Sequence, residues 1–116
     1  MNFKVEFYTT KDGRKPVQEF LDELARTDPD DFAIILAGLD KLKNSHYHRP
    51  PLSKPVGDGI FELRHVGKLN TRVLYFFMKG QRIIAVHGIR NKGWSIESSD
   101  KNTALARKAD WLERGL

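Results

Sequence analysis

The chain has 116 residues, 40% of them apolar, no cysteine, and 20 Lys/Arg against 15 Asp/Glu for a net charge of +5. That length suits one domain, 1–116, with one core; the missing cysteine excludes disulfide and thiolate chemistry. With no run of ~18 apolar residues no membrane span or membrane partner is expected, and residues 1–10 lack the apolar stretch of a signal peptide, so a cytoplasmic location is expected.

Charge is uneven along the chain. Residues 1–45 hold 7 Lys/Arg against 9 Asp/Glu, whereas residues 46–116 hold 13 against 6. The positive field belongs to the second part, and such a field draws anionic partners, nucleic acid among them.

Phe3–Tyr8 alternates as a strand, with Phe3, Val5 and Phe7 on one face. Asp12-Gly13 marks a turn. Pro16 fits a first helical position, and Val17, Phe20, Leu21 and Leu24 follow at helical spacing, predicting a helix over Pro16–Arg26. Asp28-Pro29 repeats the start signal with Asp28 as N-cap. Phe32, Ile35, Leu36, Leu39 and Leu42 then form one stripe over Pro29–Asn44. Ser45–Gly59, with three prolines, two glycines and two histidines, reads as one long irregular stretch.

Ile60–Val66, Thr71–Met78 and Arg82–Gly88 are rich in β-branched and aromatic residues and predict an antiparallel meander. The turns are Gly67–Asn70 and Lys79–Gln81. Ser99 or Asp100 is expected to cap a final helix, Lys101–Arg114, with Leu105, Ala109 and Leu112 as its apolar line and Trp111 beside it. The fold class is therefore α+β: two N-terminal helices on a small twisted antiparallel sheet, with a C-terminal helix.

The chemistry-bearing residues cluster in the meander. An unpaired cation inside a strand is too costly to bury, so it reaches solvent, a partner or a ligand. Alternation puts Glu62 and Arg64 on one face of their strand and Arg72 with Leu74 and Phe76 on the next. Antiparallel pairing brings Arg64 near Arg72. A phosphate between them would relieve their repulsion and match the guanidinium fork; the plainer alternative is exposed strand arginines, one held by Glu62. His87 shares parity with Ile83 and Ala85, which favours burial at a strand end over a free ring. Tyr75, Phe76 and Phe77 read as core, while Trp94, in a polar loop, is the better stacking candidate. His46 and His48 are two apart but lack the further ligands that a stable metal site needs.

The order FYTTKDGRKPVQEFLDEL, PLSKPVGDGIFELR, TRVLYFF and IIAVHGIRNK resembles the RelE/HigB-like type II toxin superfamily, in its phage-derived HigB-type branch. The likeness spans about residues 3–112 and is most specific in GDGIFELR and RVLYFF. It implies a RelE-like fold and a toxin that cuts mRNA, in many relatives in the ribosomal A site, with no metal or cofactor. It also implies neutralisation by a cognate helix-turn-helix antitoxin of HigA/Xre type. The resemblance assigns catalysis to Arg72, Arg64 and His87, the last as acid or base because imidazole titrates nearest neutral pH. Lys54, Arg90, Lys92 and Lys68 are the expected RNA contacts, and His46 and His48 are reserve candidates for acid or base, because their loop could fold over the site. The segment HGIRNKGWSIESSD departs from the family pattern: it has one lysine, an added glycine and tryptophan, and no T-P pair. Two readings of other classes use the same residues: a nonenzymatic RNA- or ribosome-binding relative, and an interaction subunit, bound by an antitoxin, with weakened catalysis.

Overall fold

The computed structural model describes residues 2–116. In chain order its elements are β1 (Lys4–Phe7), α1 (Pro16–Thr27), α2 (Pro29–Lys41), a 3-10 turn (Ser45–Tyr47), β2 (Ser53–Gly57), β3 (Ile60–Val66), β4 (Asn70–Met78), β5 (Arg82–Asn91) and α3 (Ser98–Glu113). The class is α+β, three helices with one five-stranded sheet in the order β1-β5-β4-β3-β2. The sheet is mixed where an antiparallel one is expected: β1 runs parallel to β5, with Val5 opposite Ile83. The two are joined through α1, α2 and the meander, so their pairing direction is not constrained by a hairpin.

Local chemistry sets the helix starts. Asp28 ends α1 by donating its N–H to the Leu24 carbonyl at 2.8 Å, and opens α2 by accepting the Asp31 N–H on its carboxylate at 3.2 Å. Pro29 follows at the first helical position, where no N–H is needed. Val17, Leu21 and Leu24 of α1 and Ile35 and Leu39 of α2 pack with Leu63, Val73, Tyr75, Ile83 and Ala85 of the sheet. Gly88 permits this approach, because a Cβ there would lie 2.3 Å from the Phe20 ring. The opposite face buries Tyr8, Ile60, Leu74, Phe76, Ile84 and Val86 against Ala104 and Trp111 of α3.

Three further expectations are corrected. The stretch Ser45–Gly59 is not irregular throughout: it contains β2, paired antiparallel with β3, with Lys54 opposite Glu62. Pro55 is tolerated because β2 is an edge strand. Asp58 and Gly59, at φ 55° and 77°, make the tight hairpin turn that this dipeptide favours. Helix α3 begins at Ser98 after Glu97, with no side-chain cap from Ser99 or Asp100. Its buried line is Ala104 and Trp111, while Leu112 is exposed and Ala109 faces solvent; the helix starts earlier than expected and presents a different stripe.

The third correction concerns register. Leu74 pairs with His87 but Tyr75 pairs with Ala85, a bulge that leaves one extra residue in β5. A bulge resets the alternation beyond it. His87 therefore leaves the side of Ile83 and Ala85 and joins the face covered by α3.

Candidate functional site

The α3 face of the sheet ends in polar rows. One runs Lys54, Glu62, Leu74, His87 across β2, β3, β4 and β5, and the next contains Arg64, Arg72 and Ile89. Above them the 92–97 loop and the start of α3 wall a cleft of about 500 Å³ lined by Lys54, Glu62, Arg64, Trp94, Ser98 and Lys101, with Pro55, Val56, Ser95 and Ile96. A larger groove of about 590 Å³ between β1 and α2 is mainly apolar, walled by Val5, Phe7, Phe32 and Leu36, and offers little for polar chemistry.

Glu62 is the centre of the cleft floor. It is 5% exposed, with Oε2 3.6 Å from Arg72 Nε and Oε1 3.9 Å from Arg64 Nε. One carboxylate thus faces two guanidinium groups. Lys54 lies opposite Glu62 in the sheet, and Lys101 reaches over to Asp58 at 3.0 Å. Among the lining residues Lys54, Arg64 and Lys101 stand against Glu62, and three cations against one carboxylate leave the cleft positive.

Arg72 lies elsewhere than a phosphate clamp would. It is 0% exposed. Its terminal nitrogens donate to the Gly93 carbonyl at 2.9 Å, the Trp94 carbonyl at 2.7 Å and Asn91 Oδ1 at 3.2 Å. Asn70 Nδ2 adds a bond to the Gly93 carbonyl at 2.7 Å. In this arrangement Arg72 pins the loop from beneath and holds Glu62 through charge. The loop in turn presents Trp94, 69% exposed, as a wall of the cleft. The extra glycine and tryptophan seen in the sequence thus become a fixed aromatic edge.

The other predicted residues divide. Arg64 and Lys54 line the cleft. His87 is nearby on the same face but is not among the lining residues. Its Nδ1 accepts from the Arg107 guanidinium at 3.2 Å, so Nε2 carries the proton donated to Asp100 Oδ1 at 2.8 Å. Both nitrogens are occupied, and the ring joins β5 to α3. Arg90 points to the other face, where it pairs with Asp28 and lies 3.6 Å from Asp31. Lys68 stands in the β3–β4 turn beside Asp28, Asp30 and Asp31. Lys92 is exposed just past β5. The structure does not bring Arg90 or Lys68 to the cleft, because alternation along β5 and the turn direct them toward α2.

The reserve histidines also separate. His48 packs edge-on to Phe3, with ring centroids 4.7 Å apart, and its Nε2 lies 2.6 Å from the Leu42 carbonyl. His46 is exposed. Lys101 was missed because, in sequence, it is one more lysine early in a helix; only the packing of α3 on β4 and β5, which sets Lys101 against Asp58 of the β2–β3 turn, brings it in. Glu62 pairs with two arginines and also lines the open cleft.

No curated protein matches the chain at significant similarity. The family described as phage-derived Gp49-like protein (DUF891) matches residues 22–109, which include every cleft residue named above. With more than half the chain matched, this protein belongs to the Gp49-like family, a toxin-like, phage-derived family.

Proposed function

We propose that the chain is the toxin of a type II toxin–antitoxin pair and acts as a metal-independent endoribonuclease on mRNA, engaged on the ribosome in the cytoplasm. The observation that carries this reading is the single carboxylate of Glu62, set between two arginines on the floor of a cationic cleft. Membership of a toxin-like family supports the toxin role.

The cleft's own groups suffice for internal transesterification. A ribose 2′-OH attacks the adjacent phosphorus and the P–O5′ bond breaks, giving a 2′,3′-cyclic phosphate and a 5′-OH. Glu62 takes the proton of the 2′-OH, because an ionised carboxylate only accepts hydrogen bonds. Arg64 and the ammonium groups of Lys54 and Lys101 hold the charge that builds on the phosphoryl oxygens. One of those ammonium groups supplies the proton to the departing 5′-oxygen. Arg72 acts through Glu62 and the loop, fixing the orientation of the base and the height of Trp94. The exposed indole stacks a neighbouring base. Lys92, exposed beside this loop, contacts RNA or ribosome. A ribosome holding the mRNA supplies the remaining orientation. A helix-turn-helix antitoxin of HigA/Xre type is the proposed neutralising partner.

The test is inducible expression with mapping of mRNA 5′ ends, wild type beside Glu62→Gln and Arg64→Ala. New ends within translated codons in the wild type, absent in both variants at equal protein level, are expected. Growth arrest without new ends would sink the nuclease reading and leave a ribosome- or RNA-binding toxin.

A further inference from the structure

Arg64 lines two cavities. Besides the cleft it borders a pocket of about 360 Å³ formed by the end of α2, the 3-10 turn and the segment leading into β2. That pocket's charged groups are Lys41, Arg49 and Arg64, with His46 at its rim and no carboxylate in its lining. Arg49 has no ion-pair partner among the described residues. The remaining lining is Tyr47, Pro50, Pro51 and Leu52, an aromatic ring and three apolar side chains. Tyr47 is 37% exposed, and the Lys41 ammonium lies 5.7 Å from its ring centroid.

Cations along a track with an aromatic ring beside them are the composition that holds a single strand: charge for the backbone and the ring for a base. The volume falls within the roughly 300–1,000 Å³ range of small-ligand sites and suits one unpaired base, not a duplex. We propose that this pocket is a second nucleotide subsite for single-stranded RNA, seating one base against Tyr47 while Arg64 holds the phosphate that joins it to the cleft. The inference rests on the reading of the cleft as an RNA site. It extends that reading to a strand crossing Arg64, with Trp94 at one end and Tyr47 at the other. The shape of the track disfavours an acidic peptide, whose carboxylates would use the cations but leave the ring and the proline wall unexplained.

The experiment is fluorescence anisotropy with a labelled 2′-O-methyl hexaribonucleotide, which lacks the attacking hydroxyl, beside the corresponding dinucleotide. Tyr47→Ala is expected to weaken hexamer binding about tenfold, and Arg49→Ala to reduce the slope of log K against log salt by about 0.7. Neither should change dinucleotide binding, while Lys54→Ala and Lys101→Ala weaken both probes. Both pocket residues are exposed, so melting temperatures should match wild type and confirm that the fold is intact. Hexamer binding unaffected by Tyr47→Ala and Arg49→Ala but weakened by Lys54→Ala would overturn the subsite and spare the cleft. Failure of the wild type to bind either probe would remove both. Competition by hexaglutamate as effective as by unlabelled hexamer, with the same dependence on Tyr47, would overturn the RNA assignment in favour of an acidic protein partner.

Discussion

Two carboxylate–arginine clusters sit at the same end of the sheet on opposite faces, built from neighbouring residues of the same strands. On the α2 face, Asp31 is 6% exposed. Its Oδ2 accepts from the Thr71 hydroxyl, Arg90 Nε lies 3.6 Å away, and His65 Nε2 is 3.6 Å from Oδ1. Arg90 also pairs with Asp28. On the α3 face, Glu62 stands between Arg64 and Arg72. The first cluster has acids in excess of arginines and a cavity of only about 220 Å³; it fastens the start of α2 to the sheet. The second has cations in excess and a cavity of about 500 Å³. Buried pairing alone does not distinguish a clamp from a reactive site. Open space above the acid, lined by more cations than acids, does.

The sharpest way to break this comparison is to neutralise each acid. Glu62→Gln keeps shape and removes the base, so RNA cleavage should fall by about 10²–10⁴, and stability should fall as well, because the buried Arg72 keeps its charge without a counter-ion. Cleavage rates and urea midpoints measured on the same preparations decide it. Retained cleavage would return Glu62 to a purely structural role.

Arg72→Ala tests the support beneath the site. It leaves Glu62 with a single partner and takes the donor from the Gly93 and Trp94 carbonyls, so stability should drop by about 3–5 kcal/mol, read from urea unfolding. Loss of toxicity in this variant therefore reports the loop and the fold before it reports phosphate binding.

Asp31→Asn should cost about 1–3 kcal/mol of stability and leave RNA affinity unchanged. A loss of RNA affinity without a loss of stability would mean that the two clusters are not different in kind.

A smaller effect is expected at the cleft wall. Trp94→Ala should weaken single-stranded RNA binding by about tenfold with no change in melting temperature, since the indole is exposed. An unchanged affinity would remove the stacking role.

The smallest concerns the seat of α3. Tyr8 donates to Asp110 at 2.6 Å, and this bond, with Arg114 beside it, holds the Asp110 carboxyl below its ordinary value despite some desolvation. A depressed folded-state value contributes stability that is full above the unfolded value of about 3.9 and fades as pH falls through the folded one. The urea midpoint of wild type should exceed that of Asp110→Asn near neutral pH, and the gap should close in acid. A gap that widened in acid would reverse the assignment.

Much of the fold was legible from local chemistry. Asp28-Pro29 marks the junction of two helices, and the apolar periods of α1 and α2 and the β-branched runs of β3, β4 and β5 need no tertiary context to read. The edge strand β2 was less legible: Pro55 argues against a strand, and only its position at the sheet edge, with the Tyr75 hydroxyl donating to Ser53 Oγ at 2.8 Å, makes it one. Within the site, Arg64 and Lys54 both line the cleft: Arg64 stands in a strand legible from its own residues, whereas Lys54 owes its place to β2, which Pro55 conceals. Arg90 does not line it, because its alternation partners turn it toward Asp28 and Asp31.

Periodicity, turn residues and charge within a few positions are enough to set the types of most elements, the basic character of the second half and the pairing of Arg64 with Arg72 across a short turn. Which cations reach the cleft depends instead on long-range packing. The bulge in β5 moved His87 to the α3 face, where Asp100 and Arg107 hold both ring nitrogens. The 92–97 loop engaged Arg72, and the packing of α3 brought Lys101 to Asp58 and the cleft wall. These outcomes depend on contacts between segments far apart in the chain, and a buried charge takes its role from whichever partner the folded backbone sets beside it.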